Sequence, residues 1–100
     1  PLDMAAVFPV YSESKRDADF DSVQEHLPSS LENDTAPVIV LDFAYIIFLY
    51  ERELDMLEEM KHTIEKRGKQ FVFINCDREL TSILNNRPPL LCLVRKIREE

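Results

Sequence analysis

Glycine is almost absent from this chain, which has one glycine, Gly68, among 100 residues. Phosphate-binding loops of the GxGxxG or GxxxxGK[ST] type need several glycines, because only glycine lets the backbone approach a phosphate closely. The two cysteines, Cys76 and Cys92, form no CxxC pair, and no second pair could complete a zinc site. The composition therefore excludes the commonest nucleotide loops and zinc fingers, and it is typical of a cytosolic chain with reduced thiols.

Long hydrophobic runs and an excess of positive charge are lacking as well. The longest apolar run lies between Phe43 and Tyr50, far short of the roughly 20 residues that a membrane-spanning helix needs. Nineteen acidic and 12 basic residues give a net charge of −7, which disfavours nucleic acid and anionic membranes as partners. Since 45% of the residues are hydrophobic, the chain can bury a core, and its length predicts a single domain over residues 1–100.

Two apolar segments have the character of buried strands. Val38 to Phe43 is rich in β-branched residues, and Gln70 to Cys76 repeats this pattern. The first segment continues into an apolar run that ends at Leu49. This continuous run predicts that the segment is shielded from water on both of its faces. From Glu51 onward, apolar residues recur every three to four positions, which predicts an amphipathic helix that stops at Gly68.

Weaker patterns precede and follow this unit. Ala6 to Tyr11, interrupted by a proline, predicts an edge strand, and the next apolar residues predict a short helix that ends before Pro28. Residues 28–37 are rich in turn formers and predict a loop. Asp77 is a candidate cap of a helix that ends at Pro88, and Leu90 to Val94 is either a last strand, which we favour, or part of a terminal helix.

The order of these elements predicts the fold class. Strands that alternate with helices form an α/β fold, here a small, mostly parallel β-sheet with helical crossovers. Two strands joined by a full helix lie side by side in the same direction in such a fold.

The same segments resemble the STAS domain, which bacterial anti-sigma-factor antagonists share with the cytoplasmic tails of sulfate-permease-type anion transporters. The family pattern has a strand ending in Leu-Asp, a hydrophobic turn, Asp-Ser-x-Gly opening a helix, and a glycine before the next strand. Leu41-Asp42 and Gly68 match this pattern. The similar stretches are "APVIVLDFAYIIFLYERELDML", "IEKRGKQFVFINCDRELTSIL" and, more weakly, "VYSESKRDADFDSVQEHL".

The resemblance implies a function without catalysis. A STAS-like domain of this kind is a regulatory, protein-interacting part of a sulfate or anion transporter on its cytoplasmic side, and it needs no cofactor or metal. Its partner would be the transporter's membrane domain or a signalling protein, with the membrane reached only through the parent transporter and no nucleic acid bound. The alternative within the family is a free-standing regulator similar to the anti-sigma antagonists.

The family also places the partner-binding surface at the end of the first buried strand and the start of the long helix. The residues of this chain in that region are Asp42, Tyr45, Tyr50, Glu51, Arg52 and Glu53. The last four occupy the Asp-Ser-x-Gly element, so the serine that is phosphorylated in the antagonists is absent. Glu51 would put a fixed negative charge near the place of that phosphate. Ser12 and Ser14, beside basic residues, are separate candidates for phosphorylation.

Outside the family resemblance, the chemistry of the chain offers one enzymatic alternative. Cys76 ends a buried strand and precedes a helix, where a thiol can have a lowered pKa, so a small thioredoxin-like or flavodoxin-like redox domain is the competing hypothesis. The two histidines, His26 and His62, have no metal-binding spacing. A basic group at the end of the long helix could meet an acidic partner or a membrane surface, although cations are common at helix C-termini; it consists of Lys61, His62, Lys66, Arg67 and Lys69.

Overall fold

The computed structural model of the chain describes residues 5–12, 18–33 and 36–95. Strands and helices alternate through the first three quarters of the chain, as the hydrophobic pattern predicts. The elements are β1 (Ala5–Pro9), α1 (Asp21–Asn33), β2 (Val38–Asp42), α2 (Glu51–Lys66), β3 (Gln70–Ile74), α3 (Arg78–Leu84) and α4 (Pro88–Leu91).

The three strands form one parallel sheet in the order β1-β2-β3. Val40 of β2 is opposite Val7 on one side and Val72 on the other, and both pairings are parallel. A parallel connection needs a crossover, which α1 and α2 supply. The prediction of an α/β fold with a parallel sheet and helical crossovers is confirmed at this level.

The main core lies between the sheet and the helices. Ile39 and Leu41 of β2 share it with Phe71 and Phe73 of β3, because alternate residues of a strand point to the same face. The apolar sides of the helices complete this core with Val23, Leu27, Leu31, Leu54, Leu57, Met60, Ile64, Leu80, Leu84 and Leu90. The intervening strand residues, Val40, Val72 and Ile74, form a second buried cluster on the opposite face. The central strand is therefore buried on both faces, as its uninterrupted apolar sequence predicts.

Helix α1 corrects the prediction that the helix stops before Pro28. It continues through that residue to Asn33, so most of the predicted loop over residues 28–37 is helical. Pro28 has no N–H to donate to the carbonyl of Gln24, a defect that normally ends or kinks a helix. Burial of Leu27 and Leu31 on the same side of α1 provides the reason, because the apolar stripe continues past the proline into the main core.

The termini of the later helices follow their sequence signals. Gly68 has a φ of 79°, the left-handed conformation expected where α2 ends. The carboxylate of Asp77 accepts a hydrogen bond of 2.8 Å from the backbone N–H of Leu80, so the predicted cap of α3 is confirmed. Pro88 begins α4 instead of ending α3, since proline fits the first turn of a helix.

The C-terminal segment contains a short helix and a single bridge, and the end of the alternative terminal helix lies outside the described residues. Residues up to Leu91 are helical, and the chain then pairs with β3 through a single parallel bridge between Val94 and Phe73. Phe73 donates its N–H to the carbonyl of Leu93 at 2.9 Å and accepts the N–H of Arg95 at 2.8 Å. The favoured last strand is thus reduced to one bridge at the outer side of β3.

Candidate interaction surface at the carboxyl edge of the sheet

Residues 43–50, which we call the aromatic loop, leave the C-terminal end of β2 and lead to α2. Every third residue points into the core: Phe43, Ile46 and Leu49 are each at most 2% exposed. The side chains between them are open to solvent, which corrects the expectation that the whole apolar run is covered. The loop lies where parallel sheets place their binding sites, outside the carboxyl ends of the strands.

The exposed side chains of this loop join one from the end of β1. Tyr45 stacks on Tyr11 with ring centroids 5.0 Å apart, and Phe48 meets the edge of Tyr50 at 4.8 Å. We call this set the aromatic surface; its members, each 39–56% exposed, are Tyr11, Tyr45, Ile47, Phe48 and Tyr50. Rings that already pack on one another lose little conformational freedom when a partner binds.

Asp42 anchors the start of the aromatic loop. Its Oδ1 accepts hydrogen bonds from the backbone N–H of Ala44 at 3.0 Å and from Nδ2 of Asn75 at 2.9 Å. Asn75 has a φ of 59°, a conformation that asparagine tolerates better than most residues. Asp42, one of the predicted site residues, therefore links the ends of β2 and β3. It also fixes the backbone at the start of the aromatic loop.

Helix α2 begins directly after the aromatic loop, and Glu53 caps it. The carboxylate of Glu53 accepts a hydrogen bond of 2.7 Å from the backbone N–H of Tyr50, the residue that precedes the helix. Glu53 is only 4% exposed, so it lies beneath the surface on which we expected it. Glu51 and Arg52, in the same turn, are exposed as a partner-binding role requires.

Arg87, at the start of α4, binds three carboxylates of α2. Its guanidinium lies 2.6 Å from Glu51, 3.0 Å from Asp55 and 2.6 Å from Glu58. Hydrogen bonds to Glu58 and Glu51 raise the pKa of Arg87 above its ordinary value. The negative charge of Glu51 is thus already paired, which weakens the idea that this residue imitates a phosphate.

The environment of Cys76 disfavours the redox hypothesis. The thiol is half-buried, and the residue lies between the last residue of β3 and the first residue of α3. Burial, followed by the nearby charges of Asp77 and Asp42, raises the pKa of Cys76 to about 12. A redox-active cysteine requires the opposite shift, because the thiolate is the nucleophile.

The remaining predicted sites lie away from the aromatic surface or in less accessible positions. The hydroxyl oxygen of Ser12 is buried and has no hydrogen-bond partner among the described residues, so a kinase could reach it only after local opening. Ser14 lies outside the described residues. The basic group from Lys61 to Lys69 occupies the C-terminal end of α2 and the turn after it, at the opposite edge of the sheet.

Sequence reasoning missed several residues of this region. Tyr11, Ile47 and Phe48 belong to the aromatic surface, and the spacing of three between the buried loop residues is a signal that could have identified the last two. Arg87 contacts α2 across at least 29 positions of sequence, a pairing that no local pattern indicates.

Clustered metal ligands and membrane-spanning helices are both absent from the part of the chain that the structure describes. Within those residues, no group of three or more His, Cys, Asp or Glu side chains could hold a metal ion. In the same part of the chain, no helix is both long enough and apolar enough to cross a membrane.

Comparison with known proteins does not assign the chain to a family. No family model, curated protein or solved structure matches it. The resemblance to the STAS domain therefore remains a prediction from the sequence motifs.

Proposed function

We propose that this chain is a non-enzymatic, STAS-like interaction domain that docks a protein partner through the aromatic surface. In the full setting that the sequence resemblance implies, the domain lies on the cytoplasmic side of a sulfate or anion transporter. The partner is then the transporter's membrane domain or a signalling protein.

One observation carries the docking role: apolar side chains are held exposed at the edge where α/β sheets bind their ligands. Tyr45, Phe48 and Tyr50 alternate with three buried residues that anchor the loop in the core. This anchoring keeps the aromatic side chains exposed to solvent. Exposed aromatic residues grouped in this way supply much of the binding energy of small interfaces.

The arrangement favours docking over catalysis for a further reason. The polar groups nearest the loop are occupied: Asp42 holds Ala44 and Asn75, and Glu53 holds the helix start. The thiol of Cys76, the candidate nucleophile, is kept protonated by its surroundings. The hydrogen bonds of Asp42 and Glu53 stabilise the backbone at the two ends of the aromatic loop.

Selection from a random peptide display library tests the docking role. The library is selected on the wild-type chain and on the double variant Tyr45→Ser/Phe48→Ser. Each change removes one ring contact and should lower stability by about 0.5–1.5 kcal/mol, which leaves the core intact. We expect peptides that bind the wild type and lose most of their affinity for the variant. A selection in which every binder tolerates the double variant would reject the aromatic surface as the docking site.

A matched control is available at the other end of α2. His62→Ser/Lys66→Ser also changes two exposed side chains, but at the opposite edge of the sheet. This control should retain the selected peptides, and thermal unfolding should show that all three proteins are folded. Loss of binding in both double variants would indicate a nonspecific effect and count against the proposal.

The transporter setting is tested separately, on the coding sequence adjoining this chain. We expect several segments of about 20 apolar residues in the same reading frame, each long enough to span a bilayer. A complete reading frame without such segments would reject the transporter setting and leave the docking role untouched.

A further inference from the structure

The charge of the described residues is distributed unevenly along the strand direction. Each helix that follows a strand starts at the carboxyl edge of the sheet, the edge that carries the aromatic loop. The described carboxylates at the strand ends and in these first helical turns are Asp19, Asp21, Asp42, Glu51, Glu53, Asp77 and Glu79. The described basic side chains there are fewer: Arg52, Arg78, Arg95 beside the end of β3, and Arg87, which three carboxylates already bind.

The basic group lies at the other end of the molecule. Lys66 is the last residue of α2, and Arg67 and Lys69 follow it, so the 16-residue helix lies between this end and the aromatic loop. At 1.5 Å per residue this helix is about 24 Å long, well beyond the Debye length of about 8 Å at physiological ionic strength. A partner at the aromatic surface therefore meets mainly the acidic end.

From this distribution we infer that the aromatic surface binds a cationic amphipathic protein segment, one that presents apolar side chains flanked by Lys or Arg. The inference rests on the proposed function and names the chemistry of its partner. The apolar side chains of such a segment would pack on Tyr45 and Phe48. Its cations would face the exposed carboxylates of this edge, such as Asp19, Asp21 and Asp77, since Glu53 is buried and Glu51 is paired with Arg87. Charge complementarity of this kind raises the association rate and excludes acidic partners.

A membrane surface fits the same site less well. Insertion of aromatic residues into a bilayer is commonly aided by nearby Lys or Arg, which attract anionic lipids. Here the described charges next to the loop have the opposite sign, and the net charge of the whole chain is −7. An anionic bilayer would repel this end of the molecule, whereas a basic peptide would be attracted to it.

Two synthetic peptides test the inference: an amphipathic helix of Leu and Lys, and its counterpart in which every Lys is Glu. Binding of the labelled peptides to the wild-type chain is measured by fluorescence anisotropy at low and high salt. We expect the Leu–Lys peptide to bind at least about 10-fold more tightly than the Leu–Glu peptide, and to weaken as salt rises. Tyr45→Ser/Phe48→Ser should reduce its affinity by about 10-fold or more.

A charge-removing variant separates the acidic edge from the aromatic side chains. Asp19→Asn/Asp77→Asn keeps the oxygens that accept from Asp21 N–H and Leu80 N–H, so both turns are preserved. This variant should bind the Leu–Lys peptide several-fold more weakly and with less dependence on salt, whereas His62→Ser/Lys66→Ser should not weaken it.

Equal binding of the two peptides, or Leu–Lys binding that survives the loss of Tyr45 and Phe48, would overturn the inference. Loop-dependent co-sedimentation with phosphatidylserine vesicles, without peptide binding, would overturn it in favour of a membrane. Failure here is distinguishable from failure of the proposed function, because display peptides that need the aromatic surface but carry no basic residues would leave the docking role standing.

Discussion

Cys76 is the residue whose chemistry separates the two classes of function considered for this chain. Its pKa is raised from 9.0 to about 12, first by burial and then by the charges of Asp77 and Asp42. We expect iodoacetamide at neutral pH to alkylate the exposed Cys92 well before Cys76, as measured by peptide mass spectrometry. Faster labelling of Cys76 would contradict the structure and revive the redox hypothesis.

The same shift has a consequence for stability. Between pH 9 and 12 the unfolded chain loses the Cys76 proton while the folded chain keeps it, so the folded state binds more protons and stability falls as pH rises. Cys76→Ser should reduce the slope of melting temperature against pH in this range, and Cys92→Ser serves as the control because its thiol is exposed.

Glu53 illustrates how a residue expected at the surface acts as a structural cap. Glu53→Ala removes the acceptor of the Tyr50 N–H and should lower the free energy of unfolding by about 1–2 kcal/mol. Glu53→Gln keeps a side-chain oxygen at the same position and should cost less. Urea unfolding of both variants measures the difference, and equal losses would show that the hydrogen bond is not the stabilising interaction.

At the scale of elements, Pro28 is the clearest local defect. It is exposed on α1 and lacks the N–H of an ordinary helical residue, whereas Leu27 and Leu31 provide the burial that holds the helix. Pro28→Ala should therefore raise the free energy of unfolding, by up to about 3 kcal/mol. Urea unfolding at equilibrium measures the gain, and no change would mean that the helix has already adjusted to the proline at little cost.

Arg87 is the side chain that joins the start of α4 to α2. Without it, Glu51, Asp55 and Glu58 would repel one another along the same side of the helix. Arg87→Gln should lower the melting temperature at low salt, and the loss should shrink at high salt because salt screens the repulsion. Lys61→Gln, which removes an isolated pair with Glu65, is the matched control and should have little effect.

At the scale of the whole molecule, the sheet was predictable and the surface only partly so. Two water-excluded segments joined by an amphipathic helix have few solutions other than parallel pairing, which is why Val38 to Asp42 and Gln70 to Ile74 lie where the pattern puts them. The path of α1 through Pro28 depends on burial of Leu31, an interaction between elements that local turn chemistry does not contain.

The candidate site shows the same division between local and tertiary information. Tyr45 and Tyr50 could be named from the sequence because the STAS-like pattern places the partner-binding surface between the first buried strand and the long helix. Tyr11 joins them only through the parallel pairing of β1 and β2, and Asn75 reaches Asp42 only because the ends of β2 and β3 are adjacent. Glu53 was misplaced for a related reason, since the same carboxylate can face solvent or turn back to cap its own helix.

The charge of the whole molecule and its aromatic surface together predict how the chain behaves near its isoelectric point of about 4.8. At pH 7 a net charge of −7 keeps copies apart despite the exposed rings. As the pH falls towards 4.8 the repulsion disappears, and we expect association to rise in dynamic light scattering while circular dichroism shows the fold is retained. Tyr45→Ser/Phe48→Ser should associate less than the wild type at the same pH; equal association would mean that another surface drives it.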